Sequence, residues 1–434
     1  MQDATLSLLL FSISIFFACW ISDSKSRKQA IRVVIFAWLL LLPLQLLINA
    51  WMPFSVGDDY DYYYNASVLR SWRDLLTPYL LANRYGYTLY TQPGYALVLN
   101  TLNLAFAPDL AGFKAFNLFC FVLAVLVWAR TVATLEGEIA ARQYLLAGIA
   151  LTPLWYYFFF LLKDIVIVLL MAIFVHGLVK AWKRPQSLFS WSLQLLAAIA
   201  LIPFRQPMLI QAGAIFAFTM GMYFFTYGLR LRQLYRLLII GTSLIFFLAL
   251  VNIGEIDKLF GLKALTFESM THTKANFSQE SQINWKLFPI LYFLTESSGL
   301  SLPAWRAMDW SWLRGILALP WIFLVLPLLP SSILWLMRRT PAEPQGSHPV
   351  SRRLNLRALA TPWAVVVGFV VSSALISWSV GDTTRWRLAD MPAWLAIALA
   401  GGRSLPRRKL FRIMSLSILI GVMMFCAYSL LVAT

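Results

Sequence analysis

Residues 31–52, IRVVIFAWLLLLPLQLLINAWM, carry a single ionisable side chain, and runs of this length and character recur along the chain. An apolar stretch of about 20 residues is what a helix needs to cross the hydrocarbon core of a bilayer. That recurrence fixes the class: an all-α, polytopic transmembrane helical bundle. A mean hydropathy of +0.70 agrees, as does a content of only 13% charged residues. The first run, TLSLLLFSISIFFACWI, has no basic residue before it and no small-x-small cleavage site, so a retained helix is expected. Cys19, Cys120 and Cys426 all lie inside apolar runs, which offers no disulfide framework or zinc pattern. The histidines, His176, His272 and His348, lack metal-ligand spacing.

Spanning segments are expected at about 5–22, 31–52, 112–133, 143–161, 162–182, 188–204, 207–227, 236–253, 313–337, 358–378, 386–401 and 413–432, about 12 spans in all. Lys and Arg gather in alternate connections, such as DSKSRKQAIR, GLRLRQLYR and GRSLPRRKLFR, as positive-inside orientation requires. Six such connections hold 22 of the 36 basic residues but only Asp23, Glu136, Glu138 and Glu343 among the 19 acids. With those connections cytoplasmic, the opposite face is nearly neutral. The net charge of +17 is then mostly an orientation signal, and no nucleic-acid partner is needed to explain it. The segment 91–108, TQPGYALVLNTLNLAFAP, is short and contains Asn100 and Asn103, so a helix lying on the outer membrane surface is expected there. Both termini then fall outside.

The expected organisation is an additional N-terminal transmembrane helix (1–30), a transmembrane module (31–253) that includes an outer loop at 53–111, a second large outer loop (254–312), and C-terminal transmembrane helices (313–434). RTPAEPQGSHPVSRR reads as a flexible cytoplasmic linker. No internal repeat is evident, which counts mildly against the repeat-built transporter folds.

Charges sit at the outer ends of several spans. Asp58, Asp59 and Asp61 follow the second span in SVGDDYDYYYNASVLRSW. Lys163 and Asp164 interrupt YYFFFLLKDIVIVLL, Arg205 occupies the turn ALIPFRQPMLI, and Asp382, Arg385 and Arg387 lie in ISWSVGDTTRWRLADMP. Ionisable groups embedded near a membrane are paired or functional, and four connections bringing both signs to one level suggest a shared polar cavity. Each also has a plainer reading. Lys163 with Asp164 suits a helix-hairpin turn with a snorkelling lysine. Arg205 suits a headgroup anchor, and Arg385 and Arg387 suit interface anchors flanking Trp386. The tyrosines at 60, 62, 63 and 64 suit belt or packing positions.

A carboxylate beside several fixed cations at a membrane surface suits a lipid-linked phosphate and a hydroxyl acceptor. The cations hold the phosphate and stabilise charge as it leaves; the carboxylate takes the hydroxyl proton. Three nearby aspartates could also bind a divalent cation, Mg²⁺ or Mn²⁺, through oxygen ligands, or act without one.

The order of these segments resembles the GT-C superfamily of integral-membrane glycosyltransferases, in particular its polyprenyl-phosphate-sugar-dependent branch, which is protein-mannosyltransferase- and aminoarabinose-transferase-like. The likeness rests on an acidic motif in the first outer loop, GDDYDYYYNA; a lysine-led span after QPGYALVLNTLNLAFAP; a proline-containing span closed by an acid, ALTPLWYYFFFLLKD; an arginine-proline turn, LIPFRQP; and TRWRLADMP late in the chain. It covers about residues 31–225 well and the remainder loosely. The additional first helix and the lack of a soluble C-terminal domain depart from the family pattern.

The resemblance implies a GT-C-like bundle with juxtamembrane helices in the first outer loop and inverting sugar transfer. It implies Asp58 or Asp59 as base, Asp164 as second acidic residue and Arg385 as phosphate contact; the other charges gathered at that level, Asp61, Lys163, Arg205, Asp382 and Arg387, are expected to bind substrate. The expected partners are a polyprenyl-phosphate lipid carrier and a glycan, lipid or protein acceptor. The expected location is a bacterial-type inner or plasma membrane, multi-pass, with the active site extracytoplasmic. Two alternatives stay open: a polysaccharide polymerase or ligase using a lipid-diphosphate-linked glycan, and a lipid-linked glycan transporter or flippase without chemistry.

Overall fold

A computed structural model describes residues 2–54, 57–68, 94–204, 208–227, 317, 320–321, 325–337, 359, 361–380, 389–406, 408–416 and 419. Among these residues the regular structure is entirely helical. In chain order the helices are α1 (Gln2–Ile21), α2 (Ser24–Trp51), α3 (Gly57–Val68), α4 (Gly94–Phe106), α5 (Leu110–Glu136), α6 (Glu138–Ile149), α7 (Thr152–Phe159), α8 (Asp164–Lys183), α9 (Leu188–Leu201), α10 (Met208–Tyr227), α11 (Leu329–Met337), α12 (Trp363–Val380) and α13 (Met391–Arg403). A short 3₁₀ turn, Leu326–Leu328, leads into α11, and residues 408–416 are also helical.

Four of these helices, α1, α2, α5 and α8, are long and apolar enough to cross a membrane. They divide by burial. The most apolar windows of α5 and α8 are each 78% buried, against 22% for α1 and 39% for α2. A helix that is apolar on all sides belongs inside a bundle or against lipid. Accordingly α5 and α8 pack against each other at the centre, while α1 and α2 leave Leu8, Phe16, Trp20, Leu39, Leu47 and Trp51 exposed. That outer apolar surface is what a bilayer would cover.

The connections follow from local chemistry. Gly137 has φ +89° and joins α5 to α6 with only that residue between them. No atom crowds its Cβ position, so backbone conformation rather than space requires glycine there. The expected single span at 143–161 is instead divided. The helix begins earlier, at Glu138, and stops at Ile149; a new one starts at Thr152 with Pro153 in its first turn. Proline lacks the N–H that a continuous helix would use but fits a helix start, so the break falls before it. The hydroxyl of Thr152 donates to the Leu317 carbonyl at 2.5 Å, tying the break to a neighbouring segment.

The C-terminal end of α5, beside Gly137, is held by ions. Arg130 donates to Asp23 at 2.5 Å and lies 3.6 Å from Glu138, joining the α1–α2 turn to the α5–α6 turn. Arg403 at the end of α13 pairs with Glu136. The hydrogen bond from Arg130 is the main reason the Asp23 carboxyl lies below its ordinary range, whereas burial is the main reason Glu138 lies above its own.

Candidate functional site

GDDYDYYYNASV forms one helix, α3, and its two faces differ sharply. Asp59, Tyr62 and Ala66 are buried and Tyr63 is half-buried, whereas Tyr60, Asp61, Tyr64 and Ser67 are exposed. Positions 59, 62, 63 and 66 share one side of a 3.6-residue helix. The sequence therefore turns one aspartate inward and another outward. Asp59 is 0% exposed. Asp58 belongs to α3 by its backbone, and its side chain lies outside the described residues.

The buried face of α3 packs on α4. The rings of Tyr62 and Tyr95 meet edge to face at 4.9 Å, and Tyr63 meets Phe113 in the same manner at 6.2 Å. Phe54, just past α2, contacts both Tyr60 and Tyr63. Beside these rings lies a buried cation, Lys114 on the first turns of α5, 6.0 Å from the centre of the Phe54 ring. The Lys114 ammonium donates to Asn49 Oδ1 at 2.7 Å and to the Pro53 carbonyl at 2.5 Å. It also stands 5.4 Å from the centre of the Phe160 ring. Asp59 is the charged group that acts on it. A buried carboxylate needs such a counter-charge, because an isolated ion in low dielectric carries a large desolvation penalty.

One turn further along α5, Asn117 organises the break between α7 and α8. Its amide nitrogen donates to the carbonyls of Phe160 at 3.0 Å and Leu162 at 3.1 Å. Its Oδ1 accepts from the Tyr95 hydroxyl at 2.9 Å. Gln45 on α2 supports the same region, donating to the carbonyls of Lys114 at 3.0 Å and Phe158 at 2.5 Å. Non-helical backbone at this depth is tolerated only where its polar groups find partners; Asn117 and Gln45 supply them. Burial pushes the Tyr95 hydroxyl well above its ordinary pKa; the Asn117 contact opposes that, and the Asp59 charge reinforces it.

Lys163 and Asp164 follow this break directly and are each 4% exposed. Asp164 lies in the first turn of α8, where a carboxylate also complements the helix dipole. The turn after α9 reaches the same end of the bundle: the Gly94 N–H donates to the Pro203 carbonyl at 2.8 Å. A Cβ at position 94 would fall 2.9 Å from that carbonyl, so the close approach requires glycine. Asn117 thus joins the backbone just before Lys163 and Asp164 to Tyr95, whose ring packs on Tyr62 of α3, so Asp59, Lys163 and Asp164 lie buried at the same end of the bundle. Asp61 stands apart, on the outer face of α3. Arg205, Asp382, Arg385 and Arg387 lie outside the described residues.

Lys114, Asn117, Tyr95, Asn49 and Gln45 are not among the residues expected from sequence. The signal for them was present as polar side chains inside apolar runs, GFKAFN above all. A divalent cation would need converging oxygen ligands. Asp59 and Asp61 face opposite ways, and no group of three or more His, Cys, Asp or Glu forms among the described residues.

The described residues thus form an all-helical bundle with four helices long and apolar enough to cross a membrane and with Asp59, Lys114, Lys163 and Asp164 buried toward one end. Neither known protein families, nor curated proteins, nor solved structures contain a match to the chain.

Proposed function

We propose that the chain is a GT-C-like membrane glycosyltransferase, moving a sugar from a polyprenyl-phosphate-linked donor to a hydroxyl acceptor at the extracytoplasmic face. The observation that carries this reading is the burial of Asp59 at 0% exposure, at the end of the bundle where α2 ends and α5 and α8 begin. A carboxylate there needs a reason, since a solvated loop would leave it outside, as it leaves Asp61. Further support comes from Lys163 and Asp164, which are buried beside the break between α7 and α8 instead of lying in a solvated turn.

In the proposed reaction Asp59 takes the proton of the acceptor hydroxyl. The hydroxyl oxygen attacks the anomeric carbon, the bond from that carbon to the phosphate oxygen breaks, and polyprenyl phosphate leaves with the bonding electron pair. Configuration at the anomeric carbon inverts. Lys114 donates to Asn49 and Pro53 and feels the Asp59 charge, so its role is to position the base. Phosphate contact falls to Arg205, Arg385 and Arg387. Because Asp59 is enclosed, α3 must move off α4 for the acceptor to reach it, a gating step of the kind common in enzymes that exclude water. The reading keeps about 12 spans, with the six basic connections cytoplasmic.

The test is donor consumption by the purified full chain in lipid bilayers. Polyprenyl-phosphate sugars should be converted to polyprenyl phosphate in the presence of acceptor. Consumption of lipid-diphosphate-linked glycans alone would replace this assignment with a polymerase or ligase, and consumption of neither would remove it.

A further inference from the structure

The other end of the bundle holds a second site, independent of Asp59. A cavity of ≈ 510 Å³ lies among α6, α13, Pro320, Trp321, Val325, Leu328 and the helical stretch 408–416. Its walls are apolar, Trp321, Leu399, Leu410 and Met414 among them, with two exceptions, Gln143 and Arg403. Those two meet: Arg403 Nη1 donates to Gln143 Oε1 at 3.2 Å. The polar groups are therefore gathered at one place, and the apolar wall continues along α6 from Gln143 to Ala150, about 10 Å at a rise of 1.5 Å per residue. A second cavity of ≈ 500 Å³ reaches Arg403 from the other side, where Glu136, Thr361 and Ser404 line it. Arg403 thus stands between an apolar chamber and a polar one.

The stretch 408–416 repeats this division. Leu410 and Met414, four residues apart, line the apolar chamber, while Arg408, Lys409 and Arg412 are exposed. Arg403 has five N–H donors in a planar fork, so its bonds to Glu136 and Gln143 leave donors for a further anion. The volume falls in the range of ligand pockets, about 300–1,000 Å³. An occupant of this site has a long apolar part and a compact negative head.

We propose that this site binds an anionic glycerophospholipid, with an acyl chain in the apolar cavity and the phosphate held between Arg403 and the basic side chains of 408–416. Basic clusters at a membrane surface attract anionic lipid at a level set by each added charge, and here the cluster adjoins a chamber suited to the chain.

The experiment is native mass spectrometry of the full-length protein, delipidated and then titrated with phosphatidylglycerol or phosphatidylcholine of matched chain length. One phosphatidylglycerol should be retained per chain, about tenfold more tightly than phosphatidylcholine. Ala147→Phe and Gly402→Leu should each abolish retention by filling the cavity. A Cβ at Gly402 meets Leu328 at an ordinary 3.6 Å, so the new side chain has room to grow into the void. Their melting temperatures should match the parent, which separates loss of lipid from loss of fold. Changing Arg408, Lys409 and Arg412 together to Gln should remove most of the preference for phosphatidylglycerol. Retention unchanged in both cavity-filling variants would overturn the site, and equal retention of the two lipids by the unmodified protein would overturn the anionic assignment.

Discussion

The Tyr95 hydroxyl donates to Asn117 Oδ1 at 2.9 Å, and both side chains are fully buried. This bond joins α4 to α5, and the other side of the same amide holds the carbonyls of Phe160 and Leu162. One asparagine therefore couples the helix under Asp59 to the break that presents Lys163 and Asp164. Asn117→Leu should destabilise the protein by about 2–4 kcal/mol, since it strands buried carbonyls and a hydroxyl together. Tyr95→Phe removes one bond and should cost about 1 kcal/mol. Thermal unfolding in detergent measures both, and equal small losses would show that the break does not depend on Asn117.

Lys114 and Asp59 should behave as a unit. Lys114→Met strands the Asn49 and Pro53 acceptors and removes a cation whose charge reaches Asp59, so it should destabilise by about 2–3 kcal/mol. Adding Asp59→Asn to that variant should recover part of the loss, because the carboxylate that lost the attraction of Lys114 is gone. A double-mutant cycle reads the coupling directly. Strict additivity would mean that the two side chains do not act on one another.

The ionic contact at the far end of α5 gives a pH dependence with a definite sign. Asp23 is held below its ordinary carboxylate range, chiefly by the hydrogen bond from Arg130. Its contribution is therefore fully present above about pH 4 and fades as pH falls through the lowered folded value. The pair is solvent-accessible, so the contribution is under about 1 kcal/mol and weakens with salt. Asp23→Asn should lower the melting temperature slightly at pH 7 and make no difference well below pH 4. A larger effect at the acid end would reverse the assignment.

Much of this architecture is legible in the amino-acid order. The long runs at 5–22, 31–52, 112–133 and 162–182 coincide with α1, α2, α5 and α8, because bilayer-length apolar runs leave little choice but helix. The split of 143–161 was harder to see. Pro153 marks it, but whether a proline kinks, starts or ends a helix depends on partners elsewhere, here the Leu317 carbonyl that accepts from Thr152. The same holds for the site. Aspartates 58, 59 and 61 look alike as a string, and only the helical phase of α3 against α4 separates buried Asp59 from exposed Asp61. Lys114 and Asn117 gain their roles from residues more than 40 positions away, which spacing alone does not reveal.

The orientation of the chain is tested by labelling with a membrane-impermeant thiol reagent. The imbalance of basic residues, 22 in six connections with four acids, predicts that Ser278→Cys reacts from outside and Gly346→Cys does not. Both positions lie outside the described residues. The reverse pattern would place the Asp59 end on the cytoplasmic side and exclude an extracytoplasmic donor site.

The central claim is that Asp59 is the base of a sugar transfer, and Asp59→Asn is its most direct test. The substitution preserves volume while removing proton-accepting power. Turnover of a polyprenyl-phosphate sugar by the purified protein in bilayers should fall by about 100-fold or more, with the melting curve showing that the fold persists. Asp61→Asn, on the exposed face of α3, should reduce turnover far less. If Asp58→Asn, Asp59→Asn and the double variant all keep full transfer, the buried carboxylate serves only to hold α3 in place and the proposed chemistry is wrong.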